Sequence, residues 1–176
     1  KVTQIACTSD TIEVTTNTGR KITGNLVIGA DGVYSVIAKQ SGLNPGWPAD
    51  KIAIDFMEET PSEQFQSKTT DTMYVFYGFK DSSGYGYIFP KKDHLNIGIG
   101  ILWPFFKQKI HDKPYRVYKQ FLDFLSKNNY VKGQSQRRNF HGYFLPVGGP
   151  LQRTFTHRVL LCGDAAGFVN AFTGEG

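Results

Sequence analysis

The sequence has only two cysteines, Cys7 and Cys162, in 176 residues. They show no metal-ligand or redox spacing, so neither a disulfide framework nor a thiolate-held metal organises this fold. A reducing compartment is the expectation, and Cys162, inside an apolar run, reads as a small core residue. No apolar stretch reaches the roughly 18 residues that suggest a transmembrane helix, and the first residues lack the pattern of a signal peptide. The expectation is a cytoplasmic protein, with any membrane contact peripheral. Positive charge is modest, at a net +5, and scattered. Arg137-Arg138 and Lys91-Lys92 are too short to form a nucleic-acid surface. The histidines His94, His111, His141 and His157 lack ligand spacing, and no Ser-His-Asp or Cys-His arrangement can be assembled. No side chain is assigned as catalytic, and no metal is expected.

What is present is strand-rich and aromatic. Fourteen Phe and nine Tyr suit either a large apolar cavity or a well-filled β core. Thr11-Ile12-Glu13-Val14-Thr15 alternates with period two, Asn17-Thr18-Gly19 turns the chain and Lys21-Ile22-Thr23 returns, which predicts a meander. Ser41 to Pro48 is rich in helix and strand breakers and reads as a linker. Four β-branched and aromatic runs follow: Ile52–Met57, Met73–Tyr77, Tyr85–Phe89 and Leu95–Ile101. They predict an antiparallel sheet. A helix then follows, with Asp112 able to cap it, Pro114 in its first turn and Tyr118, Phe121, Leu122 and Leu125 as one apolar stripe. A further strand is expected around Asn139 to Leu145.

Two strand ends carry the chemistry. Arg158-Val159-Leu160-Leu161-Cys162 fits a buried strand and runs into Gly163-Asp164-Ala165-Ala166-Gly167, followed by a loop that contains Gly174 and Gly176. In an α/β sheet, ligands bind at the carboxyl ends of strands, and small residues there let the backbone approach closely. Asp164 would offer its carboxylate to a ligand hydroxyl. Asn25-Leu26-Val27-Ile28-Gly29-Ala30 repeats the arrangement, delivering Asp31-Gly32 before a short helix over Val36 to Gln40. Either one alone could be an ordinary strand-ending turn. Together, with a sheet-bearing segment between them, they point to one ligand crevice.

The pair resembles the flavin-contacting motifs of the FAD-dependent monooxygenase and geranylgeranyl reductase superfamily. The resemblance implies FAD as cofactor, held by Asp31, Gly32, Gly163, Asp164, Ala165, Ala166, Gly167, Gly174 and Gly176, with Asp164 on the ribitol. Gly-Asp-Ala-Ala-Gly is the variant typical of geranylgeranyl reductases and of flavin dehydrogenases of the electron-transfer-flavoprotein type. Aromatic hydroxylases usually place His where Gly167 stands. Two positions depart from the pattern: Lys39 stands in place of an Arg, and Ala171 where Pro is frequent. The superfamily's Gly-x-Gly-x-x-Gly turn does not occur, so the chain is expected to be the central segment of a larger protein and inactive alone. The implied architecture is α/β (α+β). Residues 1–46 and 149–176 would be parts of a Rossmann-like FAD-binding domain with a β-meander, and 47–148 an antiparallel-sheet substrate domain with one helix.

Tyr85-Gly86-Tyr87-Ile88-Phe89-Pro90 places Tyr85, Tyr87 and Phe89 on one face of a strand. The row suits the wall of an apolar pocket or, equally, the inside of a sheet core. It resembles the geranylgeranyl reductase motif Tyr-x-Trp-x-Phe-Pro, with Tyr87 where Trp is usual, and so implies substrate contact by Tyr85, Tyr87, Phe89 and Pro90. The expected activity is reduction of carbon–carbon double bonds in an isoprenoid lipid, with the electron donor unassigned. An FAD monooxygenase or halogenase, a quinone-linked flavin dehydrogenase, and a non-catalytic lipid- or partner-binding module remain as alternatives.

Overall fold

The computed structural model describes residues 1–175 and divides into two compact units, Lys1–Ile52 with Leu145 onward, and Ala53–Phe144. The expected divisions were at 46/47 and 148/149. Residues 47–52 and 145–148 stay with the first unit for visible reasons. The Trp47 ring lies against Gly167, the Val147 N–H donates to the Lys51 carbonyl at 2.9 Å, and Gly148 abuts the Lys51 side chain.

In the first unit, β1 (Val2–Cys7), β2 (Ile12–Thr16) and β3 (Lys21–Gly24) form the predicted antiparallel meander, and Gly19 makes its turn at φ +77°. β4 (Val27–Gly29) leads to α1 (Val36–Gln40). Gly29 is where helix and strand meet: a Cβ there would lie 2.7 Å from Leu161 and 2.9 Å from Ile37. The small core consists of Ile12, Ile37, Ala38, Val159, Leu161 and Ala166.

The second unit contains β5 (Ile52–Pro61), β6 (Phe65–Ser67), β7 (Tyr74–Tyr77), β8 (Gly84–Pro90), β9 (His94–Leu102), α2 (Trp103–Lys109), α3 (Pro114–Lys127), β10 (Val131–Gly133) and β11 (Phe140–Pro146). Five strands make one antiparallel-rich sheet in the order β11-β5-β9-β8-β7, while β6 and β10 form a separate pair. The α3 stripe is buried through Val117, Tyr118, Phe121, Leu122 and Leu125, and it packs with Phe56, Ile88, Ile97, Ile99 and Ile101 of the sheet. The helix cap differs from expectation. Lys113 occupies the cap position, and Asp112 sits one residue earlier, accepting from the Lys113 N–H and pairing with Arg116. α2, β6 and β10 were not anticipated.

Gly86 lets α3 sit close on the sheet, since a Cβ there would fall 2.2 Å from the Phe121 ring. Gly86→Ala forces that ring aside, and overpacking of this kind costs about 1–3 kcal/mol. A lowered urea midpoint with unchanged slope is the expected outcome.

The chain returns to the first unit through β12 (Phe155–Thr156) and β13 (Val159–Leu161). β13 pairs antiparallel with β12 and parallel with β4, with Val159, Leu160 and Leu161 opposite Val27, Ile28 and Gly29. The fold is thus mixed α/β, with several antiparallel pairings and a parallel pairing of β13 with β4.

Candidate functional site

The β4–β13 register sets the first part of the site. Because Gly29 and Leu161 are partners in a parallel ladder, the chain leaves both strands at the same end. Asp31 follows two residues after Gly29 and Asp164 three after Leu161. Carboxyl ends of neighbouring parallel strands are where open α/β sheets bind ligands.

The two carboxylates have different occupations. Asp31 Oδ1 accepts from the Ser35 hydroxyl, and Oδ2 accepts from the N–H groups of Val36 at 2.8 Å and Ile37 at 3.3 Å. Ser35 caps the same helix by accepting from the Ala38 N–H at 2.8 Å. Both oxygens of Asp31 are therefore occupied by the start of α1, a use of the residue that sequence reading missed. Asp164, in contrast, makes no side-chain hydrogen bond or ion pair among the described residues. It is half-buried, and burial raises its carboxyl above the ordinary range. A desolvated carboxylate without a donor is a vacancy for one.

The loop around Asp164 is rich in glycine and leaves its backbone open. Gly163, Gly167 and Gly174 have φ of +56°, +72° and +71°, values that favour glycine. A Cβ at Gly163 or at Gly32 would meet nothing within 4 Å, so the backbone there is open to an approaching group. Ala165 and Ala166 are buried, and the Ala166 carbonyl accepts from Leu151 at 3.0 Å. Their methyl groups thus pack inward, as the small residues that let this turn close. Gly176 lies outside the described residues. Cys162 is exposed, contrary to the expected core position. The burial of β13 alternates, with Val159 and Leu161 in and Leu160 out, so Cys162 follows outward.

Gly167 is restricted on three counts. Its φ is left-handed, a Cβ would sit 2.5 Å from the Trp47 ring, and Gly149 lies back to back with its carbonyl. Gly167→Ala adds a backbone penalty of about 1–2 kcal/mol to a clash with a bulky ring. Thermal unfolding should begin earlier in this variant, and a histidine at 167 should be worse.

In the second unit, the sequence left open whether Tyr85, Tyr87 and Phe89 face the sheet core. They do not. Gly86 and Ile88 face α3, and the main core contains Ile88 but none of the three aromatics. The row lies on the opposite face, with Tyr87 stacked on Phe89 at 4.5 Å between centroids and Tyr85 next to Tyr87 at 6.1 Å. Across from it on β9 stand Gly98 and Gly100, and a Cβ on Gly98 would fall 2.3 Å from the Tyr87 hydroxyl. Pro90 ends the strand and is half-buried. Sequence reading did not identify Asp55, whose Oδ2 accepts from the Tyr87 hydroxyl at 2.9 Å. Burial pushes the Asp55 carboxyl up to about 6, against which the Tyr87 hydrogen bond pulls it down. The Asp55 Oδ1 is out of solvent and has no partner. A carboxyl inside the apolar run Ile52–Met57 was the available signal.

No family model matches the chain. Digeranylgeranylglycerophospholipid reductase 2 of Methanothermobacter thermautotrophicus is 34% identical over 154 residues, which cover 86% of this chain and 36% of that protein. The chain therefore spans little more than a third of that relative. Among solved structures, a geranylgeranyl bacteriochlorophyll reductase-like protein from Thermoplasma acidophilum superposes with a TM-score of 0.73 at 17% identity, covering 98% of this chain and 43% of that one. A Klebsiella pneumoniae HpxO variant complexed with FAD superposes with a TM-score of 0.62 at 16% identity, covering 94% and 43%. Both structural likenesses concern the fold.

Proposed function

The chain belongs, over the part it spans, to the geranylgeranyl reductase family, and from that premise we propose that it is a segment of an FAD-dependent reductase of isoprenoid lipid double bonds. The observation that carries this reading is the pair of parallel strand ends, one of which presents Asp164 with no side-chain partner among the described residues. Asp164 would accept a hydrogen bond from a ribitol hydroxyl of FAD. Gly163, Gly167 and Gly174 would let the backbone lie along the cofactor, and Asp31 with Gly32 would shape the neighbouring turn by fixing the start of α1. Reduced FAD, when bound, supplies two electrons and a hydrogen as hydride.

The aromatic face of the second unit would hold the lipid. Tyr85, Tyr87, Phe89 and Pro90 form a continuous apolar wall on a floor of Gly98 and Gly100, suited to a long methyl-branched chain and poor in groups that would bind a sugar or nucleotide. No helix among the described residues is long and apolar enough to cross a membrane. A lipid substrate would then be reached at a membrane surface, by peripheral contact. The electron donor is left unassigned.

The test uses the full-length protein. It should purify with bound FAD, and after dithionite reduction it should add two hydrogens per double bond to a geranylgeranyl lipid, read by mass spectrometry. Colourless protein that cannot be reconstituted with FAD would overturn the reading. NAD(P)H oxidation coupled to oxygen uptake, with no saturated lipid, would move it to the monooxygenases.

A further inference from the structure

Beyond the aromatic row, the end of the β8–β9 hairpin holds a pocket. The Lys91 N–H donates to the His94 carbonyl at 2.9 Å and closes the hairpin turn, and the Ser62 N–H donates to the Asp93 carbonyl at 3.0 Å, which brings the start of β6 alongside. The cavity enclosed there has a volume of about 190 Å³ and lies wholly within the second unit. Phe65 and Leu95, both buried, form its apolar side. The remainder is mainly polar. Ser62, Ser67, Thr69 and Thr70 bring hydroxyls, Lys91 an ammonium and His94 an imidazole, and no carboxylate lines it. Thr70 and Lys91 are exposed, so the pocket is open to solvent on their side.

Two of these groups are uncommitted. The Ser67 hydroxyl is out of solvent and has no hydrogen-bond partner, a state that costs free energy until an acceptor meets it. Lys91 pairs with no carboxylate among the described residues. Its ammonium lies 6.0 Å from the centre of the Phe89 ring, whose face attracts a cation and keeps the side chain beside the pocket. The other groups are partly engaged: Thr69 shares a hydrogen bond of 3.1 Å with the Tyr74 hydroxyl, and His94 has Asp93 at 2.7 Å and Glu59 at 3.9 Å, neither of which lines the pocket. Hydroxyl donors around an unpaired cation, with no anion among them, suit the oxygens of a phosphate, which a lysine meets as a point charge. The volume is below the roughly 300 Å³ at which sites for drug-sized ligands begin. It excludes a nucleotide and leaves room for a phosphate with a few attached atoms. We propose that this pocket binds a phosphate group, as monoester or diester, with Lys91 and Ser67 as its principal contacts. The group can arrive as the head of a lipid or on a free phosphate compound, since both present the same oxygens to Lys91.

The test is calorimetric titration of the full-length protein with glycerol phosphate, with FAD in excess so that any site for the cofactor's own phosphates is filled. Binding should be saturable. Lys91→Gln should weaken it about tenfold and Ser67→Ala about threefold, while Lys92→Gln, one residue along and outside the lining, should leave it unchanged. Circular dichroism checks that each variant is folded, and Lys91, being exposed, carries the comparison if Ser67→Ala is not. Two competitors separate the sources. Displacement of glycerol phosphate by a short-chain phosphatidylglycerol below its micelle concentration assigns the pocket to a lipid head group; displacement by inorganic phosphate alone assigns it to a free phosphate compound. Absence of saturable binding, or affinity unchanged in both Lys91→Gln and Ser67→Ala, would overturn the inference. So would equal losses in Lys91→Gln and Lys92→Gln, which mark general attraction to a basic turn. Each of these results leaves the proposed function standing, because neither flavin retention nor reduction of the lipid is read in this titration.

Discussion

Replacing Asp164 with alanine is expected to strip the full-length protein of FAD, with affinity falling about 10- to 150-fold. The magnitude follows from the contact being charge-assisted: a hydrogen bond to an ionised group is worth about 1.5–3 kcal/mol, and each 1.4 kcal/mol is tenfold in Kd. Nothing else among the described residues bonds to this carboxylate, so its removal disturbs no internal contact and folding should be nearly unchanged. Asp31→Ala should behave in the opposite way. Both Asp31 oxygens are engaged at the start of α1, so losing them removes a helix cap worth about 1–2 kcal/mol. Its first effect should be on thermal stability, with affinity lost as the turn loosens. Flavin fluorescence titration and a melting curve on the two variants separate these outcomes. Equal losses of affinity at undiminished stability would refute the division of labour between them.

The largest loss of stability is expected from Glu58→Leu. Glu58 has no exposed surface, yet it lies on the α3 side of β5. Its carboxylate accepts from the hydroxyls of Thr60, of Tyr118 at 3.2 Å and of Ser135 at 2.6 Å, and from the Gln136 N–H at 2.8 Å. Asn139 donates to Thr60 at 3.1 Å and extends the network. The carboxylate also holds the Tyr118 hydroxyl protonated, its acidity already suppressed by burial. A leucine of similar size fills the space but leaves the donors of α3 and the 135–136 segment buried without an acceptor. Each such group costs about 1–3 kcal/mol. With some donors relaxing toward one another, about 4 kcal/mol is expected in total, read as a reduced denaturant midpoint. Glu58→Gln keeps two acceptor lone pairs and should cost less than half as much. A leucine variant as stable as wild type would show that these bonds contribute nothing net.

The same strand shows what could be read from sequence. β-branched and aromatic composition made β5 legible as far as Met57, and its partners β8 and β9 followed from the same composition. Glu58 lies beyond that run, in phase with Phe56 and Thr60. Its acceptors' partners could not be read, because Tyr118, Ser135 and Gln136 come from a helix and a connection far along the chain. The α3 stripe was legible for the usual reason of 3.6-residue spacing. Its cap was misplaced by one residue, since Asp112 uses Oδ1 on Lys113 and Arg116 and Oδ2 on the Gln120 side chain instead. At the strand ends, Asp31 and Asp164 both stood out in sequence, Asp164 the more. That Asp31 is engaged by its own helix is visible only in the structure, because whether a carboxylate is engaged depends on where the following N–H groups point. The aromatic row was legible as a row, and its side of the sheet was not. That side is set by which neighbour is a glycine, and Gly86 under Phe121 decides it.

The pairing of β4 with β13 also constrains when the protein can fold. During synthesis β4 emerges with its apolar residues Val27 and Ile28 and must wait until β13 is made, after the whole of the second unit. Long-range pairing of this kind is slow to close. The second unit has its own core and no such delay. Hydrogen-exchange labelling during refolding should therefore protect Ile97 and Ile99 well before Val27 and Val159.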